Sequence, residues 1–202
     1  MDIPSNETLK TIRYRRSIRT FTKEPVSDEL ITLLLQAAND APSAHNKQSW
    51  RFIVVRGKKK EDLAQLINTR SGDFPRPASV LLRMAGKSIA GAPVVVAIVN
   101  TGDLIKQGSD LFKVEKDMAQ DFFRTMEIQS SAAAAQNLLL AATSLGLGTV
   151  WLGILYLIKD ELRQFLGEPS GEFMAVVPVG YAAHTGSGPQ KEPLEMKLRY
   201  LG

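Results

Sequence analysis

The chain has 202 residues, 44% of them hydrophobic and 23% charged, which supplies the apolar mass for a sizeable core and excludes a wholly disordered chain. It contains no cysteine, so disulfides, a thiol nucleophile and thiolate-held zinc or iron–sulfur centres are excluded. A balance of 25 Lys and Arg against 21 Asp and Glu leaves a formal charge of +4; this suits small phosphates, and no basic stripe interleaved with aromatics points to nucleic acid.

In chain order, Met1-Asp2-Ile3-Pro4 lacks the basic-then-apolar pattern of a signal peptide, and a cytoplasmic protein is expected. Ser5 or Asn6 is placed to cap a first helix carrying Leu9 and Ile12 on one face. Ser27 is placed to cap a second, where Leu30, Leu33, Leu34, Ala37, Ala38 and Ala41 recur at helical spacing until Pro42 stops it. Trp50 to Arg56 predicts a strand, being rich in aromatic and β-branched residues. Lys58 to Thr69 predicts a helix with Leu63, Leu66 and Ile67 inward and Lys58-Lys59-Lys60 as its solvated start. Pro93 to Asn100 is apolar on both faces, so a central buried strand is expected, too short to span a bilayer.

Asp117 to Leu145 holds neither Gly nor Pro and predicts one helix of about 40 Å at 1.5 Å per residue, ending at Gly146 or Gly148. Its small-residue run, Ala132 to Ala135, suits close approach of another helix, either in the core or at a dimer interface. Thr149 to Leu152 reads as a short strand, Lys159 to Leu166 as a helix and Phe173 to Tyr181 as the last strand. There is no internal repeat or low-complexity linker, and the alternation of patterns predicts one mixed α and β domain over residues 1–202.

Several mechanisms are absent. A P-loop needs Gly five residues before Gly86-Lys87-Ser88, where Leu81 stands. Gly146-Leu147-Gly148 follows a helix rather than a strand, and Trp151 stands where the dinucleotide fingerprint wants Gly or Ala. His45 and His184 are the only histidines and have no metal-binding spacing, and no Ser lies in a GxSxG elbow. If the chain is an enzyme, an organic cofactor is expected to supply the chemistry.

Four segments remain. Arg15-Arg16-Ser17-Ile18-Arg19 suits a phosphate, since Arg binds it bidentately and Ser adds a donor; taken alone, the segment reads more readily as a solvated basic turn. Ala41-Pro42-Ser43-Ala44-His45-Asn46-Lys47-Gln48-Ser49-Trp50 is a loop dense in amides and hydroxyls, suited to a polar ring edge or to an ordinary connection. Gly148-Thr149-Val150-Trp151-Leu152-Gly153-Ile154 allows backbone to approach a flat ligand, or makes a tight turn. Gly186-Ser187-Gly188-Pro189-Gln190-Lys191-Glu192-Pro193-Leu194-Glu195 is a C-terminal loop holding one cation.

In this order, from about Arg13 to Leu198, the four segments resemble the FMN-dependent nitroreductase family. The resemblance implies an α+β fold, a central, mainly antiparallel sheet flanked by helices. It implies an interlocked homodimer with FMN in two interface sites. Carried over by residue, Arg15, Arg16 and Ser17 hold the FMN phosphate with Lys191. Arg19 reaches the ribityl chain and the N1/C2 carbonyl edge. Pro42, Ser43, Ala44 and Asn46 contact the flavin from the partner chain, and Leu152 and Gly153 bring backbone N–H groups near N5. No side chain is needed as acid, base or nucleophile, and no metal, membrane or nucleic acid is involved.

The implied activity is ping-pong transfer from NADH or NADPH through FMN to nitroaromatics, quinones or flavins. Alternatives are another flavin reaction on the same fold (dehalogenation, ring dehydrogenation, flavin destruction) or a flavin-binding protein without turnover. Ser49 stands where the family often has Pro, and a second cation near Pro189 is missing. Residues 70–88 match no pattern, leaving Arg83 and Lys87 as candidates for the pyrimidine edge. The Thr101 to Lys116 segment, with Gly102 and Gly108, reads as a loop placed to cover the flavin.

Overall fold

A computed structural model describes residues 6–111, 115–184, 186 and 188–202. Ser5, the alternative first cap, and Ser187 of the C-terminal motif lie outside them.

The apolar run at 94–100 forms the middle of the molecule. Strand β2 (Val94–Asn100) is buried at all seven positions and pairs antiparallel on both sides, with β1 (Trp50–Val55) and β4 (Glu172–Gly180). The short β3 (Gly148–Thr149) pairs antiparallel with β4, giving the order β1-β2-β4-β3. The period of two in a strand sorts side chains between two layers. Val94, Val96, Ile98, Val177 and Val179 pack with α2 (Asp28–Asn39) and α6 (Lys116–Ser144). Val95, Ala97, Phe173 and Val176 pack on the other face with α3 (Gly57–Arg70) and α4 (Ala78–Gly91). Helices on both faces explain why an antiparallel strand is apolar throughout.

The helix boundaries follow local chemistry. Asn6 caps α1 (Glu7–Tyr14), its side chain accepting from Leu9 N–H at 3.0 Å, and Ser27 caps α2 in the same way from Leu30. Helix α2 buries Ile31, Leu34 and Ala38; Leu33, expected inward, is exposed because, two residues on from Ile31, it lies about 160° round the helix from it. Helix α6 ends in a Schellman turn, with Gly146 at φ +75° and Leu147 N–H donating to Ala142 O at 2.8 Å. Of the small-residue run, Ala134 and Ala135 are buried in the chain's own core against α2, so the close helix approach is met within one chain. Strand β3 is shorter than expected, continued only by the Leu152 N–H to Val176 O bond at 3.0 Å. Helix α7 (Lys159–Phe165) lies where the sequence predicts it.

Two helices were not expected. Helix α4 occupies the unassigned 70–88 region and buries Leu82, Ala85 and Ile89. Helix α5 (Asp103–Leu111) replaces much of the loop expected at Thr101 to Lys116. Gly102 turns into it at φ +77°, and Gly108 admits the Phe123 ring of α6 against its backbone, so the first glycine marks a turn and the second a close packing contact. Among the described residues no helix is long and apolar enough to cross a membrane.

Candidate functional site

The C-terminus of α1 releases the chain into an extended segment laid across the end of the sheet. Ile18 N–H donates to Thr149 O at 2.8 Å, Thr22 N–H to Tyr181 O at 2.9 Å, and Ala183 N–H to Thr20 O at 3.0 Å. The segment is held close because Gly148 has no side chain: a Cβ there would lie 2.8 Å from Ile18 Cβ. The close approach at Gly148 is made by the chain's own Ile18.

This strap forms one wall of a cleft of about 1140 Å³. Arg13, Arg15, Arg16, Ser17 and Arg19 line it, faced by Lys191 of the C-terminal tail. No acidic side chain is among the described residues that line it. Arg16 also donates to the carbonyls of Arg13 and Arg15, and its stem packs against Gly188. Sequence reasoning missed His184 and Gln136, which line the same cleft. They stand alone in sequence, with no pattern to find them by.

A second cleft of about 310 Å³ shares Arg19 with the first. Its walls are apolar: Leu81, Met84 and Ala85 of α4 on one side, Val150 to Ile154 on the other, with Ser88 the other polar residue. Leu152 and Gly153 are both here, but Leu152 N–H already donates to Val176 O and is not available to a ligand. Beside Gly153 a Cβ would meet nothing within 4 Å, so its backbone faces open space. Arg83 and Lys87 line neither cleft; both are exposed, and α4 presents Leu81, Met84, Ala85 and Ser88 to the second cleft instead. The i, i+3, i+4, i+7 spacing of those four was the available signal.

Pro42, Ser43, Ala44 and Asn46 line neither cleft of their own chain. Their loop is strained, with His45, Asn46 and Gln48 at φ of 52°, 53° and 50°; such backbone costs roughly 1–3 kcal/mol per residue and persists where surroundings impose it. Ser43 Oγ accepts from Gln48 N–H at 3.1 Å, Gln48 Nε2 donates to Asn46 Oδ1 at 2.9 Å, and Lys47 reaches Gln107 of α5.

One buried carboxylate escaped the sequence reading. Glu127 of α6 is 1% exposed, and its Oε1 accepts from Leu104 N–H in the first turn of α5 at 2.8 Å. Burial holds its carboxyl above the ordinary value of 4.5, against bonds from Leu104, Ser49, Ile105 and Gly102 that pull it down. The folded protein therefore keeps this proton longer than the unfolded chain does. On this account stability falls as pH rises from about 4.5 through the raised folded value, and the penalty is complete above it. Glu127→Gln keeps an acceptor for Leu104 N–H and cannot ionise. Urea unfolding midpoints measured against pH should show the step in the wild type and not in the variant; parallel profiles contradict the assignment.

A family model described as the nitroreductase family matches residues 12–181. The chain is 34% identical over 179 residues to an Archaeoglobus fulgidus protein provisionally named NADH dehydrogenase/NAD(P)H nitroreductase, covering 87% of this chain and 85% of that one. It is 32% identical to a Thermus thermophilus NADH dehydrogenase, covering 90% and 89%. A solved Desulfitobacterium hafniense nitroreductase with bound FMN superposes with a TM-score of 0.70 at 26% identity, over 98% of this chain and 99% of that one.

Proposed function

Because the chain belongs to the nitroreductase family, we propose that it is an FMN-dependent oxidoreductase that takes electrons from NAD(P)H. The observation that carries this reading is the pairing of clefts: a cationic one with no acidic side chain among its lining residues and an apolar one, with Arg19 lining both. A phosphate fits the first, a planar ring fits the second, and the backbone at Gly153 leaves room for it. FMN, when bound, supplies ping-pong hydride exchange between NAD(P)H and a second acceptor, for which nitroaromatics and quinones are proposed.

The chain's own residues bind and orient. Arg15, Arg16, Ser17 and Lys191 hold the phosphate, Gly153 presents its N–H, and Leu152 forms the floor of the apolar cleft. Pro42, Ser43, Ala44 and Asn46 serve the site of a second copy, which is why they line neither cleft of their own chain. A second copy also accounts for the apolar side chains left exposed on α1 and the C-terminal tail, among them Leu9, Ile12, Tyr14, Met196, Tyr200 and Leu201. Purified protein should show flavin absorbance, scatter light as a dimer, and oxidise NADH or NADPH faster when a quinone or nitro compound is added. A colourless protein that binds no added FMN overturns the reading.

Arg19 is the one cation common to both clefts. Its charge favours the reduced ring edge, which carries negative charge, over the neutral oxidised one. Arg19→Gln should lower the flavin midpoint potential by tens of millivolts, since about 30 mV corresponds to 1.4 kcal/mol for two electrons. Reduction by NAD(P)H should slow more than FMN binding weakens. An unshifted potential in a normally loaded variant removes this role.

A further inference from the structure

We infer that Ser130, in the middle of α6, is a positioning residue for the loop that delivers Asn46. The inference rests on the reading that this loop contacts FMN. Ser130 is 8% exposed, and its hydroxyl donates to Met126 O at 2.7 Å, one turn back along α6. That bond sets the hydroxyl rotor, and the oxygen then accepts from the Ala44 backbone N–H at 3.1 Å. Helix α6 is a fixed support, because Ala134, Ala135 and Leu138, the next residues along it, lie in the main core. Ser130 thus ties a rigid helix to the residue immediately before the left-handed turn at His45 and Asn46.

The tie matters because three positive φ values fall within four residues. Asn and His tolerate left-handed backbone better than most side chains, but three such non-glycine residues at 45, 46 and 48 still need support from their surroundings. With Ala44 released, the segment relaxes toward right-handed or extended backbone. The local bonds from Gln48 to Ser43 and Asn46 close the loop on itself, but they do not fix it to the rest of the molecule. Gln48 Nε2 donates to Asn46 Oδ1, so the Asn46 amide nitrogen takes no part in that bond and remains a donor. Ser130 fixes where that donor stands. Its neighbour Ser131 bonds instead to Asn100 of β2, so the two adjacent hydroxyls divide the work between loop and sheet.

The test is a double-mutant cycle on the holoprotein, read as the FMN dissociation constant and as the visible absorbance envelope of bound flavin. Ser130→Ala should weaken FMN binding about five- to tenfold, the factor expected if losing the bond lowers the binding-competent loop to between about a fifth and a tenth of the molecules. Ser130→Thr, which keeps the hydroxyl, should restore binding to within about twofold. Asn46→Ala should weaken binding by a similar factor, and Ser130→Ala added to it should weaken it no further, because the serine acts through the asparagine. If Ser130→Ala does not fold, Ser130→Cys, of similar size and a weak acceptor, is read in the same way. Full additivity, or unchanged binding in Ser130→Ala while Asn46→Ala is weakened, overturns the inference and leaves the loop in the flavin site. Unchanged binding in Asn46→Ala and in Ser43→Ala removes the loop from the site, and the inference falls with it.

Discussion

Arg15→Ala should weaken FMN binding by tenfold or more. Arg15 lines the cationic cleft and is half-buried, so its hydrogen bonds to a phosphate are partly shielded from water. A charge-assisted bond of this kind contributes about 1.5–3 kcal/mol, and 1.4 kcal/mol is a factor of ten. Lys191 faces it from the exposed tail, where solvent screens the charge. Lys191→Ala should therefore cost less, about three- to tenfold, and its effect should shrink more steeply with added salt. The double variant should release FMN during purification. Equilibrium dialysis at two salt concentrations measures this, and unchanged affinity in both single variants shows that the phosphate lies elsewhere.

The second large effect is expected at Gly148, where a single methyl group should disturb stability and cofactor together. Its Cβ would lie within 2.8–2.9 Å of three Ile18 atoms, closer than real Cβ contacts come. The strap from Arg15 to Thr22 cannot retreat without breaking the Ile18 bond to Thr149. Overpacking of this kind costs about 1–3 kcal/mol. Because Ser17 and Arg19 flank Ile18, the displacement reaches both clefts. Gly148→Ala should lower the urea midpoint and weaken FMN binding severalfold, whereas Gly148→Ala with Ile18→Ala, which removes Cγ1 and Cγ2 from the clash, should recover part of both. Gly153→Ala is the contrasting case: nothing lies within 4 Å of its Cβ, so its stability should hold while flavin binding changes. Equal stability losses at the two glycines contradict this account.

Much of the fold was legible in the amino acids. The run of β-branched and small apolar residues at 94–100 specified a strand covered on both faces. Ser27 and Gly146 marked helix ends, because capping and left-handed turns depend on a few adjacent residues. The missed helices had weaker local signals. Helix α5 contains Gly108 and follows Gly102, both of which read as breakers until Phe123 is seen against the first. Helix α4 lies in a stretch the motif pattern does not cover.

The candidate site divides along the same line. Arg15, Ser17, Arg19, Gly153 and Lys191 were singled out from the order of motifs, and the structure places Arg15, Ser17, Arg19 and Lys191 on one cleft and Arg19 and Gly153 on the other. That Arg19 lines both clefts, that Leu152 N–H is engaged by Val176, and that α4 presents Met84 and Ser88 rather than Lys87 to the second cleft were not legible. Nor were the strain of the loop at 45–48, its tie to Ser130, or the burial of Glu127 beneath α5. Periodicity and caps are properties of neighbours along the chain and survive in one sequence. The partners of Ile18, Ala44 and Glu127 are distant in sequence and are selected by packing, where the side chain that fits depends on every element already in place.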